Sequence, residues 1–320
     1  MLASPVPMHI PDGFLSVLVS VTLWIVSVLV IAYALKRVNA DLDERRIPLM
    51  GVLAAAIFAA QMLNFTVVGG TSGHLMGAAL ATILLGPWAA ILVMTSVVGI
   101  QALIFQDGGL LVMGANIFNM GIVGVAVSYA AYHLTRTLLR DTRRTVLMGG
   151  FVAAWLSIFI TSLSVALQLA LSGISPANIA IPAMGGIHAL IGIGEGLITM
   201  GALGFILAAR PDLIQSGTAR PVGGKVVLGV GLGAALLLAV LSPLASAPPD
   251  GLERVAEQQG FLSAAQAPAF TIIPDYVFPG VSNQNAATIL AGIVGTVLVF
   301  AVALGIAYTR RRKPTQTTEK

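Results

Sequence analysis

Long apolar stretches, separated by short polar segments, constrain this chain more than any other feature. Several exceed the roughly 20 apolar residues that an α-helix needs to cross a bilayer. Only 9% of the residues are charged, against about 25% in soluble domains. Because unpaired backbone groups are costly in lipid, such stretches cross it as helices. The sequence therefore predicts an all-α membrane protein, a polytopic helical bundle in the cell membrane.

Eight apolar stretches can be delimited, and one of them is too long for a single span. They are Phe14–Leu35, Ile47–Val68, Leu75–Phe105, Gly109–Leu134, Val146–Leu171, Met184–Ala208, Lys225–Ala245 and Ala286–Tyr308. Dividing the third at Gly86-Pro87 gives a short or tilted element, Leu75–Leu85, and a full span, Trp88–Phe105. We therefore expect about seven elements in an N-terminal domain and two spans in a C-terminal unit.

The distribution of positive charge supports this division and orients the bundle. Basic clusters follow the first, fifth, seventh and ninth elements, at Lys36, Arg37, Arg45 and Arg46, at Arg136, Arg140, Arg143 and Arg144, at Arg210 and Arg220, and at Arg310–Lys313. The positive-inside rule places all of them in the cytoplasm, which requires an even number of crossings between the first two clusters. Of 17 Lys and Arg residues, only Arg254 is then outside. We predict an outer N-terminus and a cytoplasmic C-terminus.

A polar segment at 209–224 divides the chain. We predict a membrane domain at 8–208, a cytoplasmic linker at 209–224 and a two-span unit at 225–313. The outer loop of that unit, 246–285, is too long for a passive connection. It contains Pro249-Asp250-Gly251-Leu252-Glu253, a pattern typical of a turn followed by the start of a helix.

The composition and motifs exclude several kinds of chemistry. The chain has no cysteine, so it has neither disulfides nor thiolate metal sites. Gly223-Gly224-Lys225 is followed by Val226, so it does not complete a phosphate-binding loop. No nucleophile–base set is visible, and the few basic residues follow membrane topology rather than a nucleic-acid surface. We predict a protein that is not an enzyme and carries no resident cofactor.

Met8-His9 and His74 are the candidate metal ligands. A free Met8 amine, the deprotonated amide of His9 and the His9 imidazole would form fused chelate rings, and a second imidazole would complete four nitrogens. Square-planar nitrogen coordination favours Ni(II) or Cu(II). The topology places His74 on the same outer side as Met8-His9. The alternative interpretation is that Met8-His9 is only an interfacial segment before the first span.

Three further polar residues lie in predicted spans. Glu195 is near the middle of its span, and His188 lies two helical turns away on the same face. They form either a polar pathway from the outer surface or, for Glu195, a structural link between helices. Asn116 either orients a ligating histidine or bonds a neighbouring helix.

Five ordered motifs resemble the CbiM/NikM family. They are Met-His-Ile-Pro-Asp-Gly-Phe from Met8, Gly-Thr-Ser-Gly-His-Leu around His74, the runs Gln106–Gly109 and Gly114–Gly121, and His188–Thr199. Members are substrate-binding membrane components of energy-coupling-factor (ECF) transporters for cobalt and nickel. The resemblance covers roughly Met8–Ala208, and the two-span unit resembles the NikN/PDGLE partner.

The resemblance implies that the Met8 amine, His9 and His74 bind the transported metal. It also implies two ATP-binding subunits and a coupling transmembrane protein as partners. Because Met8 is preceded here by seven residues, its amine is free only if translation starts at Met8 or those residues are removed. We expect a start at Met8.

The sequence also bears on how transport is driven and on which metal is transported. The alternative function is a stand-alone secondary metal permease driven by an ion gradient, with Glu195 as its proton carrier. Four in-plane nitrogens and the PDGLE-like unit favour nickel over cobalt as the transported ion.

Overall fold

The bundle consists of antiparallel helices joined mostly by short connections. A computed structural model describes residues 9–41, 46–139, 142–214 and 224–309. In chain order the helices are α1 Val17–Asp41, α2 Arg46–Gln61, α3 Ala78–Leu85, α4 Pro87–Phe105, α5 Met113–Leu138, α6 Arg143–Leu171, α7 Ala177–Ala209, α8 Gly224–Leu241, α9 Gly251–Gln259 and α10 Gln284–Thr309. Within these ranges, 6 helices are long and apolar enough to cross a membrane. The prediction of a multi-pass helical membrane protein is confirmed.

The predicted break at Gly86-Pro87 is present. Gly86 has φ 82°, a left-handed conformation that ends α3, and Pro87 is the first residue of α4. Proline suits that position because its missing N–H would have no partner in the first helical turn. The long apolar stretch is therefore one short helix followed by one full span.

The second predicted span, Ile47–Val68, is wrong at its C-terminal end. Helix α2 ends at Gln61, and Phe65–Val67 (β1) pairs antiparallel with Thr71–Gly73 (β2). Gly69 and Gly70 have φ 91° and 74° in the turn between the strands. An apolar run does not by itself distinguish strand from helix, whereas Phe-Thr-Val before Gly-Gly is a hairpin signal.

Other predicted bounds shift by a few residues. The first helix begins at Val17 rather than Phe14, because the preceding chain turns at Gly13 with φ 94°. Helix α7 begins at Ala177 instead of Met184 and contains Pro182 without interruption. The part of the linker at 215–223 lies outside the described residues.

Except for Arg254, which lies near Gly70 of the β1–β2 turn, the basic residues that are described lie at one end of the bundle. Lys36 and Arg37 are near the end of α1, Arg136 near the end of α5, Arg143 at the start of α6, and Arg210 follows α7. The β1–β2 hairpin lies at the opposite end, which we call the hairpin end. The helices thus separate charge as the positive-inside rule requires.

Helices α8 and α10 pack on the N-terminal helices and share their core, although α8 is shorter than the six helices long enough to cross a membrane. Gly231 of α8 lies against Val52 of α2, and Gly295 of α10 lies against Phe58 of α2 and Phe105 of α4. Glycine at these contacts allows helix backbones to approach closely. The loop between α8 and α10 consequently lies over the hairpin end.

Candidate metal centre

The segment before α1 is anchored over the start of α5. The Asp12 carboxylate accepts hydrogen bonds from Leu110 N at 3.0 Å and Val112 N at 3.1 Å. Asn116 Oδ1 accepts from Ile10 N, and Asn116 Nδ2 donates to Ile10 O, both at 3.1 Å. Asn116 thus holds the backbone beside His9.

His9 is buried, with 4% of its surface exposed, and is held by Asp107. Asp107 Oδ1 lies 2.7 Å from His9 Nδ1 and 3.2 Å from His9 N. His9 Nε2 is buried without a hydrogen-bond partner among the described residues. Because a carboxylate accepts, Nδ1 carries a proton, and in the neutral ring Nε2 then presents its lone pair.

His74 lies across from His9, directly after strand β2. Their ring centroids are 6.0 Å apart and tilted by 47°. Two imidazoles that bind one metal with M–N bonds of about 2.0 Å have centroids roughly 4.5 Å apart in adjacent positions and 6.4 Å apart in opposite positions. The separation of His9 and His74 lies within that range.

A cavity of about 100 Å³ lies beside these two rings. It also borders His188, Asp250 and Asn116, together with the mainly apolar side chains Met76, Met120, Ile158, Val165, Met184 and Ile191. Since one water in the liquid takes about 30 Å³, the cavity can hold an ion with a few ligands. Across the described ranges, no three His, Asp or Glu side chains already form a metal-binding group.

The loop between α8 and α10 closes one side of the cavity. Pro249 O accepts hydrogen bonds from Ser72 N at 2.8 Å and Thr71 Oγ1 at 3.1 Å. Asp250 caps α9 by accepting from Glu253 N at 2.7 Å, which confirms the predicted turn and helix start. A Cβ on Gly251 would lie 2.8 Å from His188 Nε2, so only glycine fits here without displacing that ring.

Burial and charge set the protonation of the site. Burial and the nearby charge of His9 lower the pKa of His74 to about 4, so its imidazole is neutral at pH 7. Burial disfavours protonated His9, but the Asp107 carboxylate outweighs it and raises the pKa of His9. Burial raises the pKa of Asp250 to about 7. His74 is therefore ready to donate a lone pair, whereas His9 is a ligand only once Nε2 is unprotonated.

The remaining candidates fall into two groups. His188 lines the cavity, with Nδ1 2.7 Å from Met184 O. Glu195 lies deeper and accepts from Met76 N at 2.7 Å and Gly77 N at 3.1 Å, at the start of α3. Met8 lies outside the described residues. Asp107 was missed as a site residue, although its place after a long apolar run marked it as a polar group near the histidines.

These features describe a multi-pass helical membrane protein with a small, histidine-lined cavity at one end. Residues 9–213 match the family model of the cobalt uptake substrate-specific transmembrane region, and residues 225–312 match the PDGLE domain. The chain therefore belongs to the cobalt uptake substrate-specific transmembrane family, with a PDGLE domain fused behind it.

Two fused relatives match almost the whole chain, and a solved structure matches part of it. The chain is 39% identical to the putative fused nickel transport protein NikMN of Archaeoglobus fulgidus, over 95% of this chain and 98% of that protein. It is 29% identical to the fused nickel transport protein NikMN of Rhodobacter capsulatus, over 95% and 99%. The crystal structure of a truncated transition metal transporter covers 63% of this chain and 99% of its own, with 34% identity and a TM-score of 0.57.

The anchoring of His9 yields a first prediction. A methyl group at Gly109 would overlap Asp12 N and Asp12 Oδ1, so Gly109→Ala must displace the segment that carries His9. Overpacking of this kind costs about 1–3 kcal/mol. We expect a lower thermal midpoint in detergent and weaker Ni(II) binding.

Gly99→Ala is the matched control, because nothing lies within 4 Å of its added Cβ. Unchanged stability and Ni(II) affinity in Gly109→Ala would contradict this anchoring.

Proposed function

We propose that this chain is the metal-capturing component of a nickel or cobalt importer. The observation that carries the proposal is the pair His9 and His74 beside one cavity, with His9 Nε2 making no hydrogen bond to any residue that the structure describes. Neutral imidazoles suit Ni(II) and Co(II), and the chain has no thiolate to offer. The family match and the names of the relatives point to the same class of substrate.

His9 can bind the metal in two ways. In the four-nitrogen chelate, the Met8 amine, His9 N and His9 Nδ1 bind the ion, and His74 takes the fourth position. Asp107 Oδ1 contacts both of these His9 nitrogens, so the Asp107 carboxylate would have to move away before this chelate could form. The centroids of the His9 and His74 rings would also have to approach to about 4.5 Å. In the second way His9 binds through Nε2, which needs no such change. Both use His9 and His74, and they differ in the need for Met8.

We further propose nickel as the preferred ion and the outside as the side of capture. A planar set of four nitrogens favours Ni(II) over Co(II), and the two fused relatives are named for nickel. With the basic helix ends in the cytoplasm, the hairpin end and the cavity face outward. Metal would then enter from outside and leave inward.

Transport energy is proposed to come from partners. The sequence has no phosphate-binding loop of its own, and the family resemblance implies two ATP-binding subunits and a coupling transmembrane protein. The alternative is a secondary permease with Glu195 as its proton carrier. Two backbone N–H groups bind the Glu195 carboxylate, which favours a structural role instead.

A test of the proposed ligand set is His74→Ala. We expect Ni(II) affinity to fall by more than about 100-fold, because even groups that merely support a ligand are worth about 10–100-fold. Isothermal titration of the detergent-solubilised protein measures this loss.

His133→Ala is the control. His133 stacks on Tyr129 near the C-terminal end of α5, away from the hairpin end, with centroids 5.9 Å apart. If folded His74→Ala kept the affinity of the wild type, the proposed site would be wrong.

The role of Met8 can be tested without changing any side chain. A chain that starts at Met8 offers a free amine, whereas one that retains Met1–Pro7 offers only an amide. We expect Ni(II) to bind the first form at least about tenfold more tightly, with proton release as the His9 amide ionises.

Mass spectrometry must first establish the terminus of each preparation. Equal affinity and equal proton release in both forms would exclude the Met8 chelate and leave binding through His9 Nε2.

The energy source separates the two functions. In cells that express this chain with the proposed partners, radioactive nickel uptake should stop on ATP depletion and survive an uncoupler while ATP is maintained. Cells with an inactivated ATP-binding subunit provide the control. Uptake that survives ATP depletion but collapses with the uncoupler would instead establish the secondary permease.

A further inference from the structure

The PDGLE domain contributes a buried tyrosine to the neighbourhood of His9. Tyr276 lies in the loop between α9 and α10 and is 5% exposed. Its ring stacks on Phe105 of α4, with centroids 4.8 Å apart and an interplanar angle of 13°. Its hydroxyl donates to Asp107 Oδ2 at 2.6 Å and accepts from Gln101 Nε2 at 3.2 Å. A side chain of the C-terminal unit thus contacts the carboxylate that holds His9.

The surrounding backbone imposes this position on Tyr276. Ile273 N donates to Ile104 O at 2.9 Å, and Ile272 N donates to Gln106 Oε1 at 3.1 Å, so the loop lies along the end of α4. Asp275 and Tyr276 have φ 53° and 57°. Such left-handed conformations of residues other than glycine are costly and persist where the surroundings enforce them, often at functional sites.

The consequence for His9 follows from the directions of the hydrogen bonds. Tyr276 occupies Asp107 Oδ2, so that Oδ1 is left directed at His9 Nδ1 and His9 N. A carboxylate fixed in this way keeps a proton on Nδ1 and leaves Nε2 as the metal-binding atom of His9, a residue that lines the cavity. Carboxylate partners of this kind orient metal-binding histidines and make them more basic.

We propose that Tyr276 is a positioning residue of the metal site, acting through Asp107 on His9, so that the PDGLE domain sets the metal affinity of the N-terminal domain. This inference rests on the proposed binding of metal by His74 and by His9 through Nε2, the mode that leaves Asp107 on His9 Nδ1. It assigns the fused domain a direct part in capture, in addition to its packing on α2.

The test is Tyr276→Phe, which removes the hydroxyl and keeps the ring stacked on Phe105. We expect Ni(II) affinity to fall about tenfold, the usual effect of losing a group that orients a ligand. The loss of a donor to the buried Asp107 carboxylate should also lower the thermal midpoint of the metal-free protein, so affinity is measured at a temperature where the variant is folded. Tyr129→Phe is the matched control, because Tyr129 is 48% exposed on α5.

A double-mutant cycle with Asp107→Asn distinguishes positioning from general stabilisation. If Tyr276 acts through Asp107, the double variant should bind Ni(II) about as weakly as Asp107→Asn alone. The visible absorption of bound Ni(II) should shift in both single variants and remain unchanged in Tyr129→Phe.

The outcomes separate this inference from the proposed function. If Tyr276→Phe bound Ni(II) as tightly as the wild type, or if the losses of affinity simply added in the double variant, the inference would be overturned. The proposed function would still stand, provided that the wild type binds Ni(II) and His74→Ala does not. A wild-type chain that binds no Ni(II) would overturn both.

Discussion

The Asp107 carboxylate is the interaction on which the hairpin end depends. It accepts from the backbone and ring of His9 through one oxygen and from Tyr276 through the other. These groups come from the N-terminal segment, the end of α4 and the PDGLE domain, which are distant in sequence. Asp107 is 2% exposed, and a buried carboxylate is tolerable only when such donors surround it. Its burial therefore requires all three segments to be in place together.

A second buried carboxylate, that of Glu195, fixes the backbone that follows the other histidine, His74. His74 is followed by non-helical backbone down to Gly77, where α3 begins. Irregular backbone at membrane depth is tolerated only when protein groups satisfy it. Glu195 accepts from Met76 N and Gly77 N, and Gln61 Nε2 donates to Met76 O at 2.9 Å. The Glu195 carboxyl oxygens lie at the N-terminal, positive end of the α3 dipole, so Glu195 fixes the segment that presents His74.

The sequence predicts the bundle well because membrane helices obey simple rules. The lengths of the apolar stretches, the Gly86-Pro87 break and the positions of the arginines were enough to predict how the apolar sequence divides into helices. The hairpin in Ile47–Val68 was missed, because its apolar strand continues the apolar character of α2. Gly69 and Gly70 are a local signal for a turn, but the length of the apolar stretch favoured a membrane span instead.

The candidate site was predictable only in part. Met8-His9 and His74 are visible as residues with metal chemistry, but whether they meet depends on contacts between distant segments. Asp107 and Tyr276 have no local motif that links them, since 169 positions separate them in the chain. For Asn116 the sequence left open whether it orients a ligating histidine or bonds a neighbouring helix, and its contact with the backbone of Ile10 depends on a segment 106 positions away. Pairing of this kind is a tertiary property that one sequence does not contain.

If a divalent ion binds in the cavity as proposed, electrostatics would connect the two parts of the chain around it. Moving such an ion into a small, mostly apolar cavity requires opposite charge nearby to offset its lost hydration. Asp107 supplies one carboxylate from the N-terminal domain, and Asp250 supplies another from the PDGLE domain. Because burial raises the pKa of Asp250 to about 7, an arriving cation favours loss of its proton. A bound divalent cation would therefore stabilise the docked PDGLE loop, and by linkage the docked loop would strengthen binding of the ion.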